Sequence, residues 1–171
     1  MSRLQRIEAS RFLGREFLLW LWFESERNNS TFQLEKYGEI EIFLDDKIVL
    51  EPLYGEGNRH LLSGYDPSTS PEAAVALQRN KIPSEVKLKV VTGVKGWSFS
   101  VRGDDLQLRG LKIPDVLSQE DDDRLSERLY LLEEIEDIMT EVFSLFLQTR
   151  LNQWSETTHA IQQWIHDKSD E

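Results

Sequence analysis

The chain has 171 residues, of which 39% are hydrophobic and 30% are charged, and it contains no cysteine. These values are typical of a globular protein, and the absence of thiols excludes disulfides, thiolate metal sites and cysteine nucleophiles. The formal net charge is −11, and residues 115–171 account for it, with 15 of the 31 acidic residues but only 4 of the 20 basic ones. The remaining part is neutral and is therefore able to present a local basic face.

The first predicted element is a helix over residues 4–26 that is apolar around nearly its whole circumference. It contains seven consecutive apolar residues, from Phe17 to Phe23. A membrane span needs about 20 apolar residues, so we expect protein rather than lipid to cover this helix, and we expect no membrane partner. The absence of a signal-peptide core before the helix, together with the absence of cysteine, predicts a cytoplasmic protein.

A first group of strands follows, in which apolar and polar residues alternate with period two. The strands are centred on Phe32, Ile40 and Ile48. Short polar residues favour turns, so turns are predicted at residues 37–38 and at Asp45 and Asp46. This pattern predicts a three-stranded antiparallel meander.

The segment after this meander combines a loop with a short helix. Residues 52–66 are rich in glycine and are predicted to form a loop with a short strand at 60–62. Ser70 and Pro71 are the residue types of a helix N-cap and a first helical position, so a helix of about two turns is predicted over residues 73–80.

A second meander is predicted from the same alternation. Its strands are centred on Leu88, Phe99 and Leu108. Turns are expected near residues 93–96 and 103–105, where glycine and aspartate cluster.

A long helix is predicted in the acidic C-terminal third. Its apolar residues recur at helical spacing, and they are Leu125, Leu129, Leu132, Ile135, Ile138, Met139, Val142, Phe143, Phe146, Leu147 and Leu151. We expect this stripe to cover the first helix. A shorter helix containing Ile161, Trp164 and Ile165 follows, and residues 169–171 are expected to fray.

These elements predict one α+β domain over residues 1–168. The fold is expected to be a mainly antiparallel sheet built from two three-stranded meanders, packed by the tryptophan-rich N-terminal helix and by the long acidic C-terminal helix. The length of the chain suffices for one domain with a sizeable core.

Residues of catalytic or metal-binding types are scattered. His60, His159 and His166 show no spacing typical of a metal site, no nucleophile elbow is present, and the aspartate pairs are explained by turns and a helix start. We therefore predict no catalytic residue, no metal and no cofactor, and a protein that is not an enzyme. Glu16 and Glu24, which lie among aromatic residues, are expected to form structural ion pairs with Arg11, Arg15 or the long C-terminal helix.

One face of the second meander is predicted to be basic. With the apolar residues facing the core, the opposite face presents Lys87, Lys89, Ser98, Ser100, Arg102, Gln107 and Arg109. The matching face of the first meander is acidic and carries Gln33, Glu35, Glu39, Glu41, Phe43, Val49 and Glu51. The basic face suits phosphate contacts, but an ordinary solvated face and the association of acidic with basic faces remain open.

Residues 11–18, Arg-Phe-Leu-Gly-Arg-Glu-Phe-Leu, and residues 20–26, Trp-Leu-Trp-Phe-Glu-Ser-Glu, resemble a stretch of bacterial recombination-associated proteins, the RdgC-like family. A fainter similarity extends over residues 111–151. The resemblance implies duplex DNA binding without strong sequence preference, a ring-shaped dimer and modulation of recombinase filaments. This chain lacks the large region that precedes the motif in longer relatives, and no functional residue of the family matches a position here.

Two functions follow from these observations. The first is an accessory protein of DNA recombination or metabolism that contacts the duplex backbone through Lys87, Lys89, Arg102 and Arg109. The alternative is a protein–protein interaction module or homo-oligomer that uses its acidic C-terminal third.

Overall fold

The computed structural model describes residues 3–54 and 56–168, and their side chains from Phe12 onward. The predicted α+β class is confirmed, because helices pack against a six-stranded antiparallel sheet. The elements in chain order are α1 (Arg3–Arg27), β1 (Thr31–Leu34), β2 (Gly38–Pro52), β3 (His60–Ser63), a 3₁₀ turn (Pro67–Thr69), α2 (Pro71–Gln78), β4 (Lys81–Thr92), β5 (Lys95–Arg102), β6 (Leu108–Lys112), α3 (Asp121–Asn152) and α4 (Trp154–Asp167). The predicted fraying of residues 169–171 falls outside the described residues.

Helix α1 lies in the hydrophobic core, as its circumferential apolar pattern predicts. Leu18 and Trp22 are fully buried. The ring of Phe17 packs against Phe143 and Phe146 of α3, with centroid distances of 5.1 and 5.5 Å. The sheet, through β4, packs against another side of α1. Each leucine or phenylalanine buried in this way contributes roughly 1.5–3 kcal/mol to the free energy of unfolding.

Gly14 lies where α1 crosses the turn between β5 and β6. A Cβ atom on Gly14 would lie 1.9 Å from the main-chain oxygen of Gly103, so no larger residue fits. The adjoining Arg15 is buried, and its guanidinium donates to the main-chain oxygens of Glu51 and Ile82 at 2.6 and 2.8 Å. These contacts tie α1 to the end of β2 and the start of β4.

The strand order of the sheet is β1-β2-β4-β5-β6, and β3 pairs with β2 outside this path. The second meander and the short strand at residue 60 are confirmed. The predicted turn at Asp45 and Asp46 is wrong, because both residues lie inside the continuous strand β2. The first group of strands is therefore a hairpin of β1 and a long β2, with β3 added to its second half.

The aspartate pair forms a bulge in β2. Leu44 lies opposite Leu88 and Ile48 lies opposite Val86, so β2 advances by four residues where β4 advances by two. Two residues are extra, and an even number of extra residues leaves the inward and outward alternation unchanged. Leu44 and Ile48 therefore both contribute to the same core.

The start of α2 and the packing of α3 can each be traced to one hydrogen bond. The Ser70 hydroxyl accepts a hydrogen bond from the Ala73 N–H at 3.2 Å, which confirms the predicted N-cap of α2. Helix α3 is fixed to the sheet by Trp97, whose Nε1 donates to the main-chain oxygen of Leu131 at 3.1 Å. Within residues 3–54 and 56–168, no helix is both long and apolar enough to cross a membrane.

Candidate functional site

The four predicted basic residues, Lys87, Lys89, Arg102 and Arg109, lie on the sheet face that points away from the core. Across the strands, Ser100 is the direct neighbour of Lys87 on one side and of Arg109 on the other. Leu88, Val90, Trp97 and Phe99 occupy the intervening positions and are buried. The alternation of β4 and β5 was therefore predicted correctly. We call the solvent side of β4, β5 and β6 the outer sheet face.

Most of these cations are paired with carboxylates. Lys87 Nζ lies 3.1 Å from an Asp46 oxygen, and Arg109 donates to Asp105 at 2.7 Å. A hydrogen bond from the Gln107 main-chain N–H, and then the Arg109 guanidinium, hold the pKa of Asp105 below its usual range.

The remaining two cations differ from each other. Arg102 Nε lies 3.8 Å from a Glu85 oxygen, and Glu85 also accepts a hydrogen bond from Lys47. Lys89 pairs with no carboxylate among the described residues and is exposed. Ion pairing thus reduces the charge that the outer sheet face offers to a phosphate backbone.

Lys112 is a basic residue of this face that the sequence pattern missed. It lies directly opposite Ser98, which in turn lies opposite Lys89, so the three residues form a row across the strands. Simple alternation from Leu108 would point Lys112 toward the core, but a bulge in β6 reverses the phase. The feature of the sequence that could have indicated this bulge is Gly110, which adopts a φ of +61°.

The predicted acidic face is continuous with the basic one, because β2 and β4 are neighbours in one sheet. Glu41 lies opposite Val91, and Phe43 lies opposite Lys89. Val49 was assigned to the exposed face, but it is fully buried. Acidic and basic residues therefore share one mixed surface instead of forming two separate faces.

Helix α3 extends beyond the point where Trp97 fixes it to the sheet. None of residues 121–130 is buried, whereas buried residues recur from Leu131 onward. We call residues 121–130 the projecting part of α3. Leu125 and Leu129 are 59% and 52% exposed there, and Leu132, which follows directly, is 38% exposed.

The prediction that these three leucines cover α1 is wrong. The buried residues of α3 include Leu131, Ile135, Ile138, Met139, Val142 and Phe146. At 100° per residue, Leu125 and Leu129 lie about 90–130° from the centre of that buried stripe, so a helical projection would have separated the two sets. Leu125, Leu129 and Leu132 instead form a second stripe, which we call the leucine stripe.

The side of the projecting part that faces away from the leucine stripe is hydrogen-bonded to the residues just before α3. Glu127 accepts hydrogen bonds from the Leu117 and Ser118 main-chain N–H groups, both at 2.9 Å, and these bonds lower the pKa of Glu127. Arg124 donates to the main-chain oxygen of Ser118 at 3.1 Å. The leucine stripe, which points elsewhere, is left facing solvent, as its exposure shows.

Glu16 has one of the predicted partners, whereas the partners of Glu24 are Arg27 and Asn28 instead of Arg11, Arg15 or the long C-terminal helix. Arg150 of α3 donates from Nε to Glu16 at 2.9 Å, which confirms a partner on the long C-terminal helix. Burial raises the pKa of Glu16, and the hydrogen bond from Arg150 opposes that shift. Glu24 accepts from Asn28 Nδ2 at 2.7 Å and from Arg27 at 3.1 Å.

In the described part of the chain, no group of three or more histidine, cysteine, aspartate or glutamate side chains is arranged to hold a metal ion. No family model matches the sequence, and no curated protein matches it. The similarity of residues 11–26 to RdgC-like proteins stays a prediction. Function is therefore inferred from the surfaces described above.

Proposed function

We propose that this protein is a non-enzymatic protein-binding module, and that the leucine stripe of α3 docks a basic amphipathic helix of a partner. The observation that carries the proposal is the exposure of Leu125 and Leu129 on a helix that continues beyond the core. Apolar residues clustered on a solvent-facing helix and bordered by charges are typical of helix-docking surfaces. The absence of cysteine fits a cytoplasmic setting, which we also infer.

The charges beside the leucine stripe indicate the kind of partner that would bind there. At 100° per residue, Asp122, Glu133 and Glu136 lie along or beside one edge of the leucine stripe, while Asp121 and Arg128 lie on the other edge. A second copy of this chain would bring the same carboxylates into contact, which disfavours self-association through the stripe. A partner helix with leucines at matching spacing and lysines beside them is complementary in both respects.

A designed peptide tests the proposal. The probe is a labelled helical peptide with leucines spaced by four and three residues and flanked by lysines, and its control is a scrambled peptide of equal composition. Fluorescence anisotropy should show that Leu125→Ser/Leu129→Ser weakens binding at least about ten-fold. Leu151, which is 83% exposed near the other end of α3, supplies the matched control variant, Leu151→Ser. Equal binding of the scrambled peptide, or of the double variant, would contradict the proposal.

A second candidate is contact with the duplex DNA backbone, favoured by the row of Lys89, Ser98 and Lys112 on the outer sheet face. Lys89 and Lys112 pair with no carboxylate among the described residues, so the logarithm of the binding constant should fall with the logarithm of salt concentration with a slope of about −2. Lys89→Glu/Lys112→Glu should abolish binding. Failure to bind a duplex even at low salt would remove this candidate.

A further inference from the structure

A groove of about 1010 Å³ lies between the end of α1, strand β1 and the junction of α3 with α4. It is separate from both surfaces described above. One wall of the groove is β1, which is an edge strand because β2 is its single partner among the described strands.

The open edge of β1 presents main-chain hydrogen-bonding groups to the groove. The Ser30 oxygen accepts from the Ile42 N–H at 2.7 Å, so in this antiparallel register the pair Phe32 and Ile40 is also hydrogen-bonded. Thr31 and Gln33 fall between these pairs, and their main-chain groups point away from β2. The Thr31 N–H donates to the main-chain oxygen of Asn28. The Gln33 N–H, the Gln33 carbonyl and the Thr31 carbonyl are therefore available on the described edge.

The other walls of the groove are rich in side-chain amides. They include Asn28, Asn29, Gln148, Asn152 and Gln153. Gln148 and Asn152 lie one helical turn apart on α3, and no described side-chain hydrogen bond engages either of them. A carboxamide offers both a donor and an acceptor, which is the complement of a peptide group.

The lining of the groove includes two buried aromatic residues. Trp20 and Phe32 are both buried there, with ring centroids 6.3 Å apart. Trp20 Nε1 is enclosed and has no hydrogen-bond acceptor among the described residues. A buried donor without an acceptor costs stability.

We propose that this groove binds an extended peptide segment of another protein, which adds as a strand to the open edge of β1. This site is independent of the leucine stripe. The open edge would supply main-chain hydrogen bonds, and the amides of α3 would bind the opposite edge of the peptide. Arg27 neutralises Glu24, whereas Glu156 has no described charged partner, so the peptide is expected to carry a lysine or arginine.

Selection from a displayed pool of random short linear peptides, using the full chain as bait, tests this proposal. Enriched sequences should carry β-branched residues in alternation and a basic residue. Their synthetic versions should lose at least about ten-fold in affinity when alternate main-chain amides are N-methylated, because the strand pairing is lost. Gln148→Ala/Asn152→Ala should weaken binding at least about five-fold, and Gln107→Ala, an exposed amide elsewhere, should not change it.

Two results would overturn the proposal. One is the absence of any enriched peptide, and the other is equal binding of the enriched peptides to the wild type and to the groove double variant. Peptides that lose binding to Leu125→Ser/Leu129→Ser, and not to the groove variant, would support the leucine stripe and reject the groove. Thermal unfolding of each variant confirms that it is folded before binding is compared.

Discussion

Glu26 shows how a single carboxylate fixes the last helix to the first. It accepts hydrogen bonds from Trp22 Nε1 and Trp164 Nε1, both at 2.7 Å, and from Lys168 Nζ at 2.9 Å. Glu26→Ala leaves two indole N–H groups without an acceptor, and we expect it to lower the free energy of unfolding by about 2–4 kcal/mol in a urea titration. Glu35→Ala, at an exposed position, is the control and should change it by less than about 0.5 kcal/mol. Equal effects of the two substitutions would show that the Glu26 network contributes nothing.

The raised pKa of Glu16 predicts how the free energy of unfolding depends on pH. Burial raises its pKa in the folded state, so the folded protein holds a proton on Glu16 at pH values where the unfolded chain has lost it. The contribution of Glu16 to stability is therefore full below the ordinary carboxyl pKa and is lost as pH rises through the raised pKa. Glu16→Gln mimics the protonated form, so its unfolding free energy should exceed that of the wild type at neutral pH and match it in acid. Urea titrations over a series of pH values measure this. A variant that is clearly less stable at neutral pH would mean that the Arg150 ion pair outweighs the burial.

The two-residue bulge in β2 leads us to a prediction about the register of this strand. Deleting both Asp45 and Asp46 removes the extra residues and keeps Ile48 and Leu50 on the core face. Deleting Asp46 alone shifts the alternation by one residue and turns those side chains outward. The double deletion should keep the near-ultraviolet circular dichroism of the buried tryptophans, while the single deletion should lose it. The opposite order would contradict the assigned register.

The elements themselves were largely predictable because periodicity decides them. The helices, the second meander and the Ser70 cap follow from local spacing and residue type. The bulge at Asp45 and Asp46 was not predictable, because aspartate pairs suit turns and bulges equally and only the pairing of both halves of β2 with β4 separates the two. A helical projection of α3 would have separated Leu125 and Leu129 from the buried stripe, but the point along α3 where the core ends depends on the position of Trp97 and was not predictable.

At the scale of the whole molecule, the surfaces were less predictable than the fold. Alternation placed Lys87, Lys89, Arg102 and Arg109 on one face, but their ion-pair partners come partly from neighbouring strands. The adjacency of β2 and β4, which brings Asp46 to Lys87, depends on long-range pairing that no local pattern contains. The groove beside β1 likewise arises only when residues near 30 and near 150 are brought together.

The distribution of charge differs between the outer sheet face and α3. The outer sheet face is mixed and largely neutralised, whereas the projecting part of α3 belongs to the third of the chain that carries the net charge of −11. Long-range electrostatics would therefore repel a polyanion and attract a basic partner. We therefore propose that the main binding surface lies on α3 and that the outer sheet face makes a weaker contact.

Chemical-shift mapping of the full ¹⁵N-labelled chain distinguishes α3 from the outer sheet face as the binding surface. The chain is titrated in separate samples with the basic leucine-bearing helical peptide and with a short DNA duplex, both at the same low salt concentration. We predict that the peptide shifts the amide signals of residues 121–133 and leaves those of residues 87–112 in place. Unshifted signals over residues 121–133, or tighter binding of the duplex with shifts over residues 87–112, would contradict the assignment of the binding surface to α3.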